Sequence, residues 1–197
     1  MMLVSCADGE ALETTKAEDT TKVIEMTTAE DATETVPAVG VMDVDFATVE
    51  IKGFLFATVG EDPLYYAEGC DVYASSKPSV ATVDGEGKIT PVSEGVTLIG
   101  YGIGDRTEAI AVCVFTEGEG PDRSAGESAN VFEVGETFMH TAPVGGVEYF
   151  SSNENVVDVS NAPNLSFKET GYACVTCASA SRPFTYSFIV YDRTVEK

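Results

Sequence analysis

From residue 41 onward the chain is a succession of short apolar and β-branched runs, punctuated by Gly, Pro, Asp and Ser. The pattern is clearest over residues 75–95, where two runs, 80–83 and 88–92, flank Asp84-Gly85-Glu86-Gly87. Asp-Gly between apolar runs predicts a hairpin, because glycine tolerates the positive φ that tight turns need. Gly95 then opens a further run, Val96-Thr97-Leu98-Ile99. Upstream, Val44, Phe46, Val49 and Ile51 are β-rich and predict a first strand. Residues 54–59 predict a second, followed by turn chemistry at Gly60-Glu61-Asp62-Pro63. With 72–74, 96–101 and 109–115 the count reaches about seven short strands, the spacing of an all-antiparallel sandwich.

The pattern then repeats. Ser75-Ser76 returns as Ser151-Ser152, an offset of 151 − 75 = 76. At that offset Val80 meets Val156, Val83 meets Val159, Ile89 meets Leu165, Gly95 meets Gly171, Arg106 meets Arg182 and Val114 meets Val190. A period this long, spanning several strands, means two copies of one domain. Upstream of Tyr73 and Tyr149 the register slips. Residues 53–57 match 135–139 at 135 − 53 = 82, which implies a loop within residues 61–68 that only the first copy carries. The second copy predicts strands at 131–134, 137–139, 147–150, 156–159, 165–167, 172–177 and 184–191. The expected organisation is a start and tether over 1–40, a domain over 41–117, a linker over 118–125 and a second domain over 126–197. The short linker predicts an end-to-end rod, and residues 193–197 a frayed tail. Val80, Val83, Ile99, Val156, Val159 and Val175 are the predicted core residues.

Ser-Ser, Val-Ala-Thr-Val-Asp, Gly-Lys-Ile-Thr and the Gly before the last strands resemble the bacterial immunoglobulin-like domains of group 2. The match is close in the first copy. It is looser in the second, where Val156-Val157-Asp158-Val159-Ser160 and Asn161-Ala162-Pro163-Asn164 replace the motif's Ala-Thr and Gly positions. The resemblance covers roughly residues 43–192. It implies an all-β chain of two tandem immunoglobulin-like β-sandwich domains, an extracellular setting, and roles in adhesion or as a spacer. It carries over no catalytic residue.

Charge narrows the partners. The 197 residues include 33 acidic and 11 basic side chains, a net charge of −22. Such a chain repels phosphate backbones and anionic membrane surfaces, so nucleic acid is excluded as a partner. No run approaches the roughly 20 apolar residues of a membrane helix. Residues 7–40 are Thr-, Glu-, Asp- and Ala-rich and predict a disordered acidic tether, because so little apolar surface cannot offset ordering entropy. Leu3-Val4-Ser5-Cys6 resembles the end of a bacterial lipobox, in which the cysteine is lipidated. Cys6 is therefore the candidate lipid-attachment site and the one route to a membrane. Five residues before it are too few for a signal peptide, which a start codon further upstream would supply.

Candidate chemistry is sparse. His140, the one histidine, falls on a predicted strand and is expected on its solvent face; no Gly-x-Ser-x-Gly elbow accompanies it. The five cysteines are Cys6, Cys70, Cys113, Cys174 and Cys177. Cys174 and Cys177 sit three apart on a strand and so point to opposite faces, with Cys177 in the core. Cys70 and Cys113 are either bridged or two reduced thiols. Acidic pairs at Asp43/Asp45, Glu61/Asp62 and Asp84/Glu86 offer oxygens but no calcium-loop spacing, so neither metal nor cofactor is expected. The exposed-looking aromatics are Tyr65 and Tyr66, in the loop assigned to the first copy, and they form the candidate ligand loop. Two functions are compatible with these features: a non-catalytic, monomeric cell-surface structural or adhesive module meeting a surface protein or glycan, or a carbohydrate- or ligand-binding accessory module of a secreted protein.

Overall fold

A computed structural model describes residues 43–121, 128–141, 147–178 and 183–197. Residues 1–42, with the predicted tether and Cys6, lie outside them. The chain is all-β and forms immunoglobulin-like sandwiches. The first contains β1 (Glu50–Thr58), β2 (Leu64–Tyr65), β3 (Val72–Ser75), β4 (Ala81–Val83), β5 (Lys88–Pro91), β6 (Gly95–Ile103) and β7 (Arg106–Phe115). The second contains β8 (Asn130–Glu133), β9 (Thr137–Met139), β10 (Glu148–Ser151), β11 (Val157–Asp158), β12 (Asn164–Phe167), β13 (Gly171–Ala178) and β14 (Phe184–Tyr191). Each sandwich pairs a four-stranded sheet with a three-stranded one: β1-β7-β6-β3 with β2-β5-β4, and β10-β13-β14-β8 with β11-β12-β9.

Not every pairing is antiparallel, as the strand spacing suggested. The first strand of each sandwich, β1 or β8, runs parallel to its last, β7 or β14. Both ends of each domain are thereby sewn into one sheet.

The 76-residue period holds through the corner and hairpins. Ser76 N–H donates to the Leu98 carbonyl and Ser152 N–H to that of Cys174; Val92 N–H donates to Val80 and Lys168 N–H to Val156. Gly95 and Gly171 share an unusual φ, +146° and +152°, over the side chains of Val80 and Val156. Further upstream the 82-residue match fails. Residues 53–57 lie in β1 against β7, whereas residues 137–139 form β9 against β12. The true equivalents are Val59-Gly60-Glu61 and Val134-Gly135-Glu136, 75 apart. In each, Gly has a positive φ (82° and 92°). In each, the Glu carboxylate accepts the N–H three residues back, from Thr58 or Glu133. In each, the Val N–H donates to the end of the last strand, at Phe115 or Tyr191. Gly60 to Tyr73 is 13 residues and Gly135 to Tyr149 is 14, so the first copy carries no extra loop.

Residues 44–51 also differ from the expected strand. Asp45–Thr48 is a helical turn: Thr48 and Val49 N–H donate to the Asp45 carbonyl, and the Asp45 carboxylate accepts from Ala47 N–H and Thr48 Oγ1. Strand β1 starts at Glu50 and runs through Thr58 with an irregularity between Ile51 and Gly53. The alternation of Val44, Phe46 and Val49 reflects burial without a ladder: all three sit in a core, outside the sandwich.

That core lies between the two sandwiches. Ala57, Ile89, Ile99, Ile110, Val112 and Val114 fill the first sandwich, together with Val80 and part of Val83. Val156, Leu165, Phe167, Val175 and Phe188 fill the second, with Val159 at its margin. A third apolar layer joins the outer faces of the four-stranded sheets. It unites Phe56, Val96, Leu98, Ala111, Cys113 and Phe115 with Ile189 and Tyr191. The Tyr172 ring meets Phe56 and Phe115 edge-on, at centroid distances of 5.7 and 5.3 Å. Four sheets thus alternate with three apolar layers, in place of an end-to-end rod. Strand β7 explains the choice. Its run Ala109-Ile110-Ala111-Val112-Cys113-Val114-Phe115 is buried throughout, as expected for a strand covered on both faces. An end-to-end arrangement would leave one of those faces in water.

Candidate functional site

The polar side chains that converge do so along this seam. Arg193, just past β14, donates from Nη1 to the carbonyls of Phe46 (2.9 Å) and Val49 (3.0 Å), and from Nε to Glu133 (2.8 Å). One guanidinium thus fastens residues 43–49, which we call the strap, to the second sandwich. Its fixed fork of donors suits this task. On the other flank Lys77 Nζ lies 3.0 Å from Asp192 Oδ2, with both side chains mostly buried. Glu196 N–H donates to the Ser76 carbonyl, and its carboxylate accepts from Ser79 N–H and Oγ. The expected frayed tail therefore folds back on the Ser-Ser corner of the first sandwich. The corner itself is a hydroxyl knot, with Thr97 Oγ1 within 3.2 Å of both Ser75 and Ser76 and accepting from Lys77 N–H.

A cleft of about 630 Å³ opens along the seam, lined among others by Glu94, Cys113, Glu119, Ser152, Tyr172 and Cys174. Two of its walls, the Cys113 thiol and the Tyr172 phenol, are held protonated. Burial, with Glu94 nearby, pushes the Cys113 thiol up to about 12. Burial and the Cys174 contact push the Tyr172 phenol up to about 12. Cys174 Sγ is 3.0 Å from Tyr172 Oη on the outer face of β13, while Cys177 is buried inside the second sandwich, as their spacing required. Cys70 and Cys113 are both free thiols. Cys70 packs against the interior of the first sandwich and Cys113 lies in the seam, on opposite faces of one sheet, so they cannot bond.

Tyr65 and Tyr66 are 49% and 43% exposed. Tyr65 closes the short edge strand β2, opposite Lys88. Tyr66 leans over Tyr101, with ring centroids 5.9 Å apart. They are set apart from the seam, and because the loop is not an insertion they owe nothing to extra chain. His140 is buried, not solvent-facing. Its Nδ1 is 3.1 Å from Tyr149 Oη, and its ring meets Tyr186 edge-on at 4.7 Å. Phe138 pairs with the core residue Leu165, and His140, two residues on, follows the same alternation inward; its backbone N–H donates to Pro163.

One carboxylate of each acidic pair, that of Asp45, Glu61 or Asp84, caps a turn by accepting a backbone N–H. Asp84 Oδ1 accepts from Glu86 and Lys88 N–H, which holds its carboxyl below the ordinary range. Among the described residues no His, Cys, Asp and Glu group could hold a metal ion. No described helix is long and apolar enough to cross a membrane. Asp158 carries the largest carboxylate shift: Lys168 and the Ser160 N–H lower it from 3.8 to about 2. A depressed folded pKa adds stability above the unfolded value, lost as pH falls through the folded one. Asp158→Asn is therefore expected to lower the melting temperature at pH 7, with the difference from wild type shrinking between pH 4 and pH 2. Thermal melts across that window check it; a constant difference would contradict it.

Residues 70–116 match the family model of the bacterial Ig-like domain. No curated protein matches the chain. Among solved structures, the S-layer protein SbsC aligns over 60% of this chain and 19% of its own, at 19% identity and a TM-score of 0.25. Domains 4 and 5 of SbsC align over 60% of this chain and 68% of theirs, at 21% identity and 0.25. Human protocadherin-24 EC1-2 aligns over 71% of this chain and 94% of its own, at 12% identity and 0.26. The chain spans about a fifth of the first of these.

Proposed function

We propose that the chain is a non-catalytic structural module of a bacterial cell surface, monomeric, held to the membrane by lipid on Cys6 and presenting two Ig-like domains as one stiff block. The observation that carries this reading is the seam. An apolar layer flanked by Arg193 on the Phe46 and Val49 carbonyls, Lys77–Asp192 and Glu196–Ser79 commits these polar groups to holding two sandwiches together. Such a device serves position rather than chemistry. The bacterial Ig-like match over residues 70–116 agrees with it. One acyl chain binds a bilayer only marginally, so the multiple chains of a bacterial lipoprotein are what the anchor requires. The gene, expressed with its native upstream sequence, tests this. Wild type is expected in the membrane fraction and open to protease on intact cells, and Cys6→Ala in the soluble fraction. Identical fractionation of the two would remove the anchor.

A second reading, a glycan- or protein-binding accessory module, is favoured by the exposure of Tyr65 and Tyr66 on an edge. Aromatic faces are common recognition platforms, each combining apolar area with a polar tip. Glycan-array binding that Tyr65→Ala abolishes would support it over the purely structural role.

A further inference from the structure

We propose that the strap, residues 43–49, is a tension-released latch between the two sandwiches. Val44, Phe46 and Val49 are buried in the seam layer, in the same cluster as Phe56, Val96 and Leu98 from one sandwich and Ile189 and Tyr191 from the other. The strap therefore covers both partners at once. The fit to the first is close: a Cβ on Gly100 would stand 2.4 Å from Val44 Cγ1, so Gly100 makes room for the strap in the outer face of β6.

The latch is weaker than the strand next to it in the chain. Strand β1 is paired with β7 in parallel from Glu50 to Thr58, so a pull on the start of β1 against the end of β7 loads many ladder bonds together. The strap belongs to no sheet. Its backbone is tied across the seam by the two carbonyls that Arg193 holds. Three apolar anchors and one guanidinium yield one after another as residue 43 is drawn away. Force applied upstream reaches the strap before β1. Release strips cover from the apolar face of the first sandwich and takes two acceptors from Arg193, so the sandwiches, each still folded, are then joined only by the rest of the seam layer, Lys77–Asp192 and the Glu196 contacts with Ser76 and Ser79. The latch is a property of the described residues; only its use in the cell rests on anchorage at Cys6.

Force spectroscopy on the full chain, pulled from its two termini, tests it. Wild type is expected to show a first event that frees at most about 25 Å of strap contour. Two larger events should come next at higher force, each on the order of 200 Å, the length of a chain such as β1 to β7 drawn out. Arg193→Ala should at least halve the force of the first event and leave the later two unchanged. Phe46→Ala, which removes an anchor and keeps every ion pair, should shift the same event in the same direction. The two later events report folding of the sandwiches in every trace. A first event that already carries a whole sandwich's length overturns the latch, as does a first event at wild-type force in both variants. Loss of Cys6 anchorage in cells would leave these results untouched.

Discussion

Phe56→Ala is expected to destabilise the protein by about 3–5 kcal/mol, the usual range for emptying a large aromatic site. Phe56 is 2% exposed and lies in the seam layer rather than in either sandwich. Its ring contacts Phe54, Phe115 and Tyr172 at centroid distances of 5.2, 5.7 and 5.7 Å. The cavity would open between two sheets that are each tied down by their own ladders, so little collapse is available to fill it. Because the neighbours come from both sandwiches, Phe56→Ala and Tyr172→Ala should be non-additive, with a coupling of about 0.5–3 kcal/mol. Chemical denaturation of the four proteins measures both quantities. Additive effects, or a Phe56→Ala cost under about 1 kcal/mol, would show that the sandwiches do not share this layer in solution.

Gly171→Ala is expected to cost about 2–5 kcal/mol, made up of overpacking and of backbone strain at a positive φ. The backbone there sits at +152°, and a Cβ would stand 2.8 Å from Val156 Cγ2, a buried side chain with no room to retreat. The equivalent Gly95 has φ +146° but leaves 3.1 Å to Val80 Cγ2. Gly95→Ala should therefore cost less than Gly171→Ala. Adding Val156→Ala to Gly171→Ala should recover part of the loss. If the two glycine variants melt alike and Val156→Ala only adds damage, the close approach is not what selects glycine.

Much of the fold is legible where the signal is local. Residues 75–95 announce two hairpin strands through Asp84-Gly85-Glu86-Gly87 and the alternation of Val80, Ile89 and Val96, and the second copy preserves enough of it to fix the period. Two features are harder to see. The Val-Gly-Glu tripeptide at residues 59–61 and 134–136 marks the true equivalence of the first strands, but the longer apolar run at 54–57 offers a competing match. Tripeptide identity carries the turn's φ and its carboxylate cap, whereas the apolar run carries only burial. The seam is hidden because alternation cannot say what covers a strand's second face. The unbroken apolar run at 109–115 does hold that information, since a half-exposed strand has no reason to be apolar at every position. The strap imitates a strand for the same cause: Val44, Phe46 and Val49 are buried, and a pattern of burial does not distinguish a ladder from a helical turn pressed into a core. His140 faces inward by alternation with Phe138, which lies opposite the core residue Leu165, and a polar residue at an inner position is what burial patterning misses.

The double-faced burial of β6 and β7 bears on inheritance. A freestanding domain can be copied, shuffled and fused, because its surface is already suited to water. Cut away from its neighbour, the first sandwich would present Phe56, Leu98, Ala111 and Phe115 to solvent, the kind of contiguous apolar patch that drives aggregation. The second would lose the cover of Ile189 and Tyr191. Recombination that separates the halves is therefore penalised, and the smallest piece that can move between genes intact is the pair, with the strap before it and the tail after it.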